Sequence, residues 1–178
     1  MNMINEENVV DILKKAENAG ACILVAGGWG VDALFGRQTR QHNDFDIFVE
    51  RKDEKTLTEI FRSSGYKETI KHSDDNTAWQ NSDDELIDFH LYEFAEEGLM
   101  RHDNVCFPAD IFNGRGTIGG VAVRCMTAES QVSYRHGYEL REKDIQDVLL
   151  ICETFEIQVP EGFKKEPKEK IKEDFKCS

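Results

Sequence analysis

The stretch Gly27-Gly28-Trp29-Gly30-Val31-Asp32, then Arg37-Gln38-Thr39-Arg40, then His42-Asn43-Asp44-Phe45-Asp46, decides how this chain reads. Before it, Cys22–Ala26 is wholly apolar, the pattern of a short buried strand with Cys22 in the core. The glycine pair breaks that run, and Trp29–Phe35 reads as a short helix ending at Gly36. Between a strand and a helix, two residues without Cβ let the backbone approach a ligand closely. The helix start adds unpaired N–H groups and positive dipole, which suit a triphosphate. A tight strand-to-helix turn would need the same glycines, so the pair alone does not choose between the two.

Asp44 and Asp46 weigh on that choice. Phe45–Val49 reads as a strand with Phe45, Ile47 and Val49 on one face and Asp44, Asp46 and Phe48 on the other. Two carboxylates aimed at one point repel each other unless a cation lies between them. Hard oxygen donors at a strand end suit Mg²⁺, which takes few carboxylates and completes its shell with phosphate oxygens and water. A solvated acidic strand edge is the alternative, although Asp is depleted in strands. Further on, Leu86–Phe94 alternates so that Ile87, Phe89 and Leu91 face one way and Asp88 and His90 the other. If that strand neighbours the Asp44 strand, three acids and an imidazole converge.

Working outward, Asn5 caps a helix with Glu6 and Glu7 in its first turn and Val9, Ile12, Leu13 and Ala16 on one face, stopping at Gly20. Asp53–Arg62 reads as a helix with Leu57, Ile60 and Phe61 inward, closed by Gly65. Lys67–Lys71 and Thr77–Gln80 read as strands around a turn at residues 73–76. Residues 95–117 read as loop-rich, and Ile118–Cys125 as one strand. Thr127 caps a helix to about Arg135, and Glu142–Phe155 forms another with Ile145, Val148, Leu149 and Cys152 inward. The order predicts an α+β fold: a mixed β-sheet flanked by helices, with a C-terminal helical element from about residue 127. Residues 1–160 are expected to form one domain and residues 161–178 a charged, solvated tail.

The chain has 178 residues, with 22 Lys+Arg against 35 Asp+Glu, a formal charge of −13. That balance disfavours nucleic acid as a partner, because phosphate contacts need cations. Five scattered cysteines without a C-x-x-C pair read as reduced thiols. The apolar stretch 21–35 is broken by Gly27, Gly28, Gly30 and Asp32, too short and interrupted for a bilayer. A soluble, cytoplasmic protein without membrane contact is expected.

Gly-Gly-Trp-Gly-Val-Asp, the link Thr39-Arg40-Gln41-His42 and Asp44-Phe45-Asp46 together resemble the signature of the antibiotic nucleotidyltransferases. The nearest likeness is to the small lincosamide nucleotidyltransferases; the aminoglycoside adenylyltransferases acting on a 2″-hydroxyl are more distant. Both lie in the DNA polymerase β-like nucleotidyltransferase superfamily. The resemblance runs from about Ile23 to Val148 and includes Ile87-Asp88-Phe89-His90 and His136-Gly137-Tyr138-Glu139-Leu140.

By position, the resemblance implies a nucleotidyltransferase fold in which Gly27 and Gly28, with Trp29, cradle the nucleotide. Arg40 and Arg37 would reach the triphosphate. Asp44 and Asp46 would hold Mg²⁺, and Asp88 would be a further metal ligand or the general base. His90, Tyr92 and Lys143 are acceptor-site candidates, and Asp144 falls beside them. The implied reaction moves a nucleoside monophosphate, AMP from ATP above all, from Mg–NTP to a hydroxyl of a small cationic antibiotic, a lincosamide first. An aminoglycoside acceptor, a protein acceptor and a non-catalytic nucleotide-binding module are the alternatives. The acids Asp83, Asp84, Glu85, Glu93, Glu96 and Glu97 are available to attract a cationic acceptor or simply to form a solvated face. Trp79, Tyr92 and Phe94 are available to line an acceptor pocket or to pack in the core. The resemblance leaves room for a homodimer, since a chain this short can need a second copy to wall an acceptor site.

Overall fold

The computed structural model of the chain describes residues 3–137 and 140–163. The first helix, α1 (Glu6–Asn18), starts where Asn5 accepts the Asn8 N–H at 2.9 Å. It is followed by β1 (Ile23–Val25), α2 (Gly27–Phe35), β2 (Asp44–Glu50), α3 (Glu54–Ser63), β3 (Lys67–Lys71), β4 (Asn76–Gln80) and β5 (Leu86–Phe94). Next come β6 (Leu99–His102), β7 (Val105–Pro108), β8 (Gly114–Ile118), β9 (Val121–Cys125), α4 (Ala128–Ser133) and α5 (Glu142–Thr154).

The strands join in one mixed sheet with the order β3-β4-β5-β2-β1-β9-β8, and the β6–β7 hairpin hangs from the far end of β5. β2 and β5 are parallel neighbours in the register Asp44↔Leu86, Asp46↔Asp88 and Phe48↔His90. The alternation read from sequence therefore sends Asp44, Asp46, Asp88 and His90 to one face. The opposite faces of β2 and β5 bury Phe45, Ile47, Val49, Ile87, Phe89 and Leu91 against α1 and α3, with Trp29, Phe61 and Trp79 filling the same core. Each fully buried side chain of this size contributes about 2–3 kcal/mol from area removed from water. On the acid-bearing face the hairpin and residues 109–112 cover one end, packing Phe107, Ile111 and Phe112 on Tyr92 and Met126. Helices α4 and α5 pack on α2 through Val31, Val132, Val148 and Ile151. A gap remains between these two covers, over the acids.

Several expectations need correction. Cys22 is exposed rather than core, because β1 begins one residue later. Residues 95–117 contain the β6–β7 hairpin and β8. Their short strands carry Gly, Arg, Asn and Pro between apolar positions, which hides the alternation. The strand expected over 118–125 is two, reversed at Gly119–Gly120. On α5, Leu149 is only partly buried, while Asp144, Asp147 and Ile151 are buried: polar residues occupy part of the inward stripe. Phe163 is buried in the α4–α5 cluster, so packed structure continues past residue 160. The expected tail from 164 onward, and Tyr138 and Glu139, lie outside the described residues.

Candidate active site

Helix α2 begins at Gly27, two residues before the expected start, so the glycine pair is its first turn. Its N-cap, Ala26, has no side chain able to cap, and the first N–H groups of a helix have no intrahelical partner. Gly27 has φ +56°, and a Cβ there would meet Asp46 Oδ2 at 1.8 Å. A Cβ on Gly28 would meet His42 Nδ1 at 2.2 Å and Arg40 Nη2 at 2.8 Å. The absence of side chains is thus what brings the turn onto the acids of β2. The Ala26 N–H clamps it there by donating to the Asp46 carbonyl at 3.0 Å.

An open cavity of about 390 Å³ lies above this turn. Its floor is Gly27, Gly28, Asp44, Asp46, Phe48, Asp88 and His90; its far wall is Gln131, Tyr134, Arg135, Arg141, Lys143 and Asp144, with Arg40 between. Ligand atoms of Asp46, Asp88 and His90 lie within 4.8 Å of one another. Burial and the neighbouring Asp44 and Asp88 push the Asp46 carboxyl up to about 8. Burial and Asp44 also raise Asp88. Burial, with His102 nearby, lowers His90 to about 4, so its imidazole is neutral at pH 7. Its ring stacks on Phe48, with centroids 4.6 Å apart.

Asp88 Oδ1 and His90 Nδ1 are buried with no hydrogen-bond partner among the described residues. Crowded acids, an unanswered oxygen and a mostly oxygen donor set fit a hard divalent cation. Asp44 lines the same cavity, but the tightest set is Asp46, Asp88 and His90.

The far wall is cationic and partly balanced. Arg40 donates to Asp147 through Nε and Nη2, at 2.9 and 2.7 Å. Burial works against that guanidinium, yet Asp147 holds its pKa above the ordinary value. Arg135 donates to the same Asp147 at 3.1 Å and to Gln131, whose amide reaches the Gly27 carbonyl at 3.3 Å. Burial opposes the Asp144 charge, but bonds from Arg141 hold it below its usual value.

Gly27, Gly28, Arg40, Asp44, Asp46, Asp88, His90, Lys143 and Asp144 thus meet around one cavity. Trp29 does not join them: it is 1% exposed, on the core side of α2 against His42 and Phe45. Arg37 is exposed and lines no part of the cavity. Tyr92 shares the face of Asp88 and His90, but there the hairpin roofs the sheet and buries it. Trp79 is core, whereas Phe94 is exposed at the end of β5 and belongs to neither the core nor the cavity. Gln131, Tyr134, Arg135 and Arg141 were not singled out from sequence. The spacing of four between Gln131 on α4 and Arg135 in the 3-10 turn that continues it offered the one signal.

The aminoglycoside-2″-adenylyltransferase family model matches residues 8–151. The chain belongs to this family. A lincosamide resistance protein from Staphylococcus haemolyticus is 25% identical over 152 residues, covering 83% of this chain and 94% of that protein. The crystal structure of the lincosamide antibiotic adenylyltransferase LnuA with lincomycin bound superposes with a TM-score of 0.76 at 24% identity, covering 88% of this chain and 100% of the other. That of ANT(2″)-Ia with adenylyl-2″-tobramycin gives 0.69 at 24%, covering 84% and 88%. This adenylyltransferase-family protein has the nucleotidyltransferase fold and is a nucleotidyltransferase of the antibiotic-resistance type, and its Asp46, Asp88 and His90 form a group able to hold a metal ion. No helix among the described residues is long and apolar enough to cross a membrane.

Proposed function

We propose that this protein inactivates a small, cationic, hydroxyl-bearing antibiotic, a lincosamide, by transferring AMP to it from Mg–ATP with release of pyrophosphate. The observation that carries the reading is the register Asp46↔Asp88 between parallel β2 and β5, which aims acids from two strands at the glycine turn of α2. The lincosamide choice leans on the S. haemolyticus relative and on the fit to the lincomycin-bound structure.

In this mechanism the first-turn N–H groups of α2 and the side chains of Arg40, Arg135 and Lys143 receive the phosphates. Asp44, Asp46 and Asp88 would hold the Mg²⁺. When bound, the metal offsets the charge of the acids and of the triphosphate. Asp88 also takes the proton of the acceptor hydroxyl. The acceptor oxygen bonds to the α-phosphorus as the bond to the β-phosphate bridging oxygen breaks, and pyrophosphate departs. Phe48 stacked on His90 offers the acceptor a flat, neutral floor beside Asp88. The protein's share of the catalysis is positioning and charge placement.

The test is an acceptor screen with Mg–ATP and Mg–GTP, following pyrophosphate release and product mass. Clindamycin gaining one AMP while kanamycin gains none is the expected outcome. Adenylylation of kanamycin alone would transfer the reading to an aminoglycoside, and no transfer to either would refute it.

A further inference from the structure

A line of polar contacts runs from the core side of α2 to the cavity. Asp32 and His42 are both 2% exposed, and His42 Nε2 lies 2.5 Å from Asp32 Oδ2. The other oxygen, Asp32 Oδ1, accepts the Thr39 backbone N–H at 2.9 Å and the Thr39 hydroxyl at 2.5 Å. On its far edge, His42 Nδ1 lies 2.9 Å from Arg40 Nη1. A guanidinium has only donors, so Nδ1 must present its lone pair. The ring proton is then on Nε2 and is donated to Asp32.

Arg40 has five N–H hydrogens. Two go to Asp147, one to His42 and one to the Gln41 carbonyl. The one left over is on Nη2, the atom that lies 2.8 Å from where a Gly28 Cβ would stand. His42, Arg40 and the glycine turn are therefore in mutual contact, and the remaining donor sits at the turn.

We propose that Asp32 and His42 form a tautomer lock that positions Arg40. Asp32 fixes the ring proton on Nε2, the opposite nitrogen keeps its lone pair toward Arg40, and Arg40 holds its last Nη2 hydrogen at the glycine turn for a nucleotide phosphate. Both are positioning residues acting through Arg40. The proposal rests on the reading of that turn as the phosphate cradle.

The lock makes an unusual demand of an isosteric change. In Asp32→Asn, the two donors of Thr39 keep the amide oxygen on their side, so the NH₂ group faces His42 Nε2. The ring must then accept there and carry its proton on Nδ1, against the N–H of Arg40. One atom exchanged at Asp32 reverses the polarity of the whole line, as expected when a carboxylate that sets a histidine tautomer becomes an amide.

The test combines ¹⁵N NMR of histidine-labelled protein with Mg–ATP titration calorimetry. In the parent, the His42 ring, assigned by its loss in His42→Gln, should show a protonated Nε2 and a bare Nδ1; Asp32→Asn should exchange the two signatures. Mg–ATP binding should weaken about tenfold in Asp32→Asn and in His42→Phe, which keeps the packing on Trp29 but neither hydrogen bond. His42→Gln, whose amide supplies one acceptor and one donor, should stay within about threefold of the parent. A parent ring protonated on Nδ1 overturns the lock. So do a reversed tautomer with unchanged ATP affinity, and equal losses in His42→Gln and His42→Phe, a pair that decides the matter if Asp32→Asn does not fold. If the parent binds no Mg–ATP at all while its ring carries the Nε2 proton, the phosphate cradle has failed and the hydrogen-bond line stands.

Discussion

Glu85 and Asp88 lie three residues apart at the head of β5, and the fold treats them in opposite ways. Glu85 is 3% exposed and fully answered. Its Oε1 accepts from the Asn5 N–H and side chain at 3.1 and 2.8 Å; its Oε2 accepts from Asn8, Asn81 and Tyr66 at 2.5, 2.7 and 3.2 Å. Asp88 instead faces Asp44 and Asp46, and its Oδ1, 3.7 Å from His90 Nε2, has no hydrogen-bond partner among the described residues. A buried acid whose lone pairs are met by neutral donors ties elements together, here α1 to the β4–β5 turn. A buried acid set among other acids destabilises the apo fold and favours a cation. The run Asp83–Glu85, open in the sequence to either a lure for a cationic acceptor or a solvated face, is corrected at Glu85, which is buried and structural.

The contrast can be broken most decisively at Asp46. Asp46→Asn should lower turnover by about 10²–10³-fold while leaving the fold intact. Steady-state rates and circular dichroism on the purified variant check this, and near-normal turnover would end the metal role. Gly27→Ala, whose Cβ would overlap Asp46, should lower turnover by about tenfold or more and also cost about 1–2 kcal/mol of stability from the positive φ. Denaturant titration separates the two losses.

Glu85→Ala should show the reverse pattern: about 3 kcal/mol lost, as several donors are left unpaired, with kcat unchanged in the protein that remains folded. That corresponds to a Tm drop of roughly 6–12 °C for a chain of this size. A large loss of kcat at normal stability would dissolve the contrast.

The last effect is in pH. Burial beside Asp44 and Asp88 pushes Asp46 up to about 8 from its ordinary 3.8, so the folded chain binds the extra proton and stability falls as pH rises from about 4 through about 8. Divalent cation should consequently raise Tm by more at pH 8 than at pH 5, and by little in Asp46→Asn at either pH. Differential scanning fluorimetry with and without Mg²⁺ measures it.

The acids of β2 and β5 were legible because a period of two survives any tertiary context, and their convergence needed only that the strands be neighbours. The outline of sheet and helices was legible for the same reason. What escaped notice depended on partners far along the chain. Asp147 reads as one more acid on a helix until Arg40, 107 residues earlier, is laid against it. Trp29 and Tyr92 sit within or beside chemistry-bearing motifs yet are buried, since sequence does not show which part of a face a hairpin or a helix will roof. The hairpin itself was missed because its strands are only four residues each.

The parallel pairing of β2 with β5 also has a bearing on how preparations of this protein behave. A crossover over residues 51–85 separates the paired strands, and a slip of a single position would point Asp88 into the oily layer under α1 and α3 and swing Phe89 out over the cavity. Such a conformer would be penalised by packing before it could be tested by chemistry. Inert yet well-folded molecules of that kind should then be scarce, and the titratable active fraction of a sample should follow its natively folded fraction.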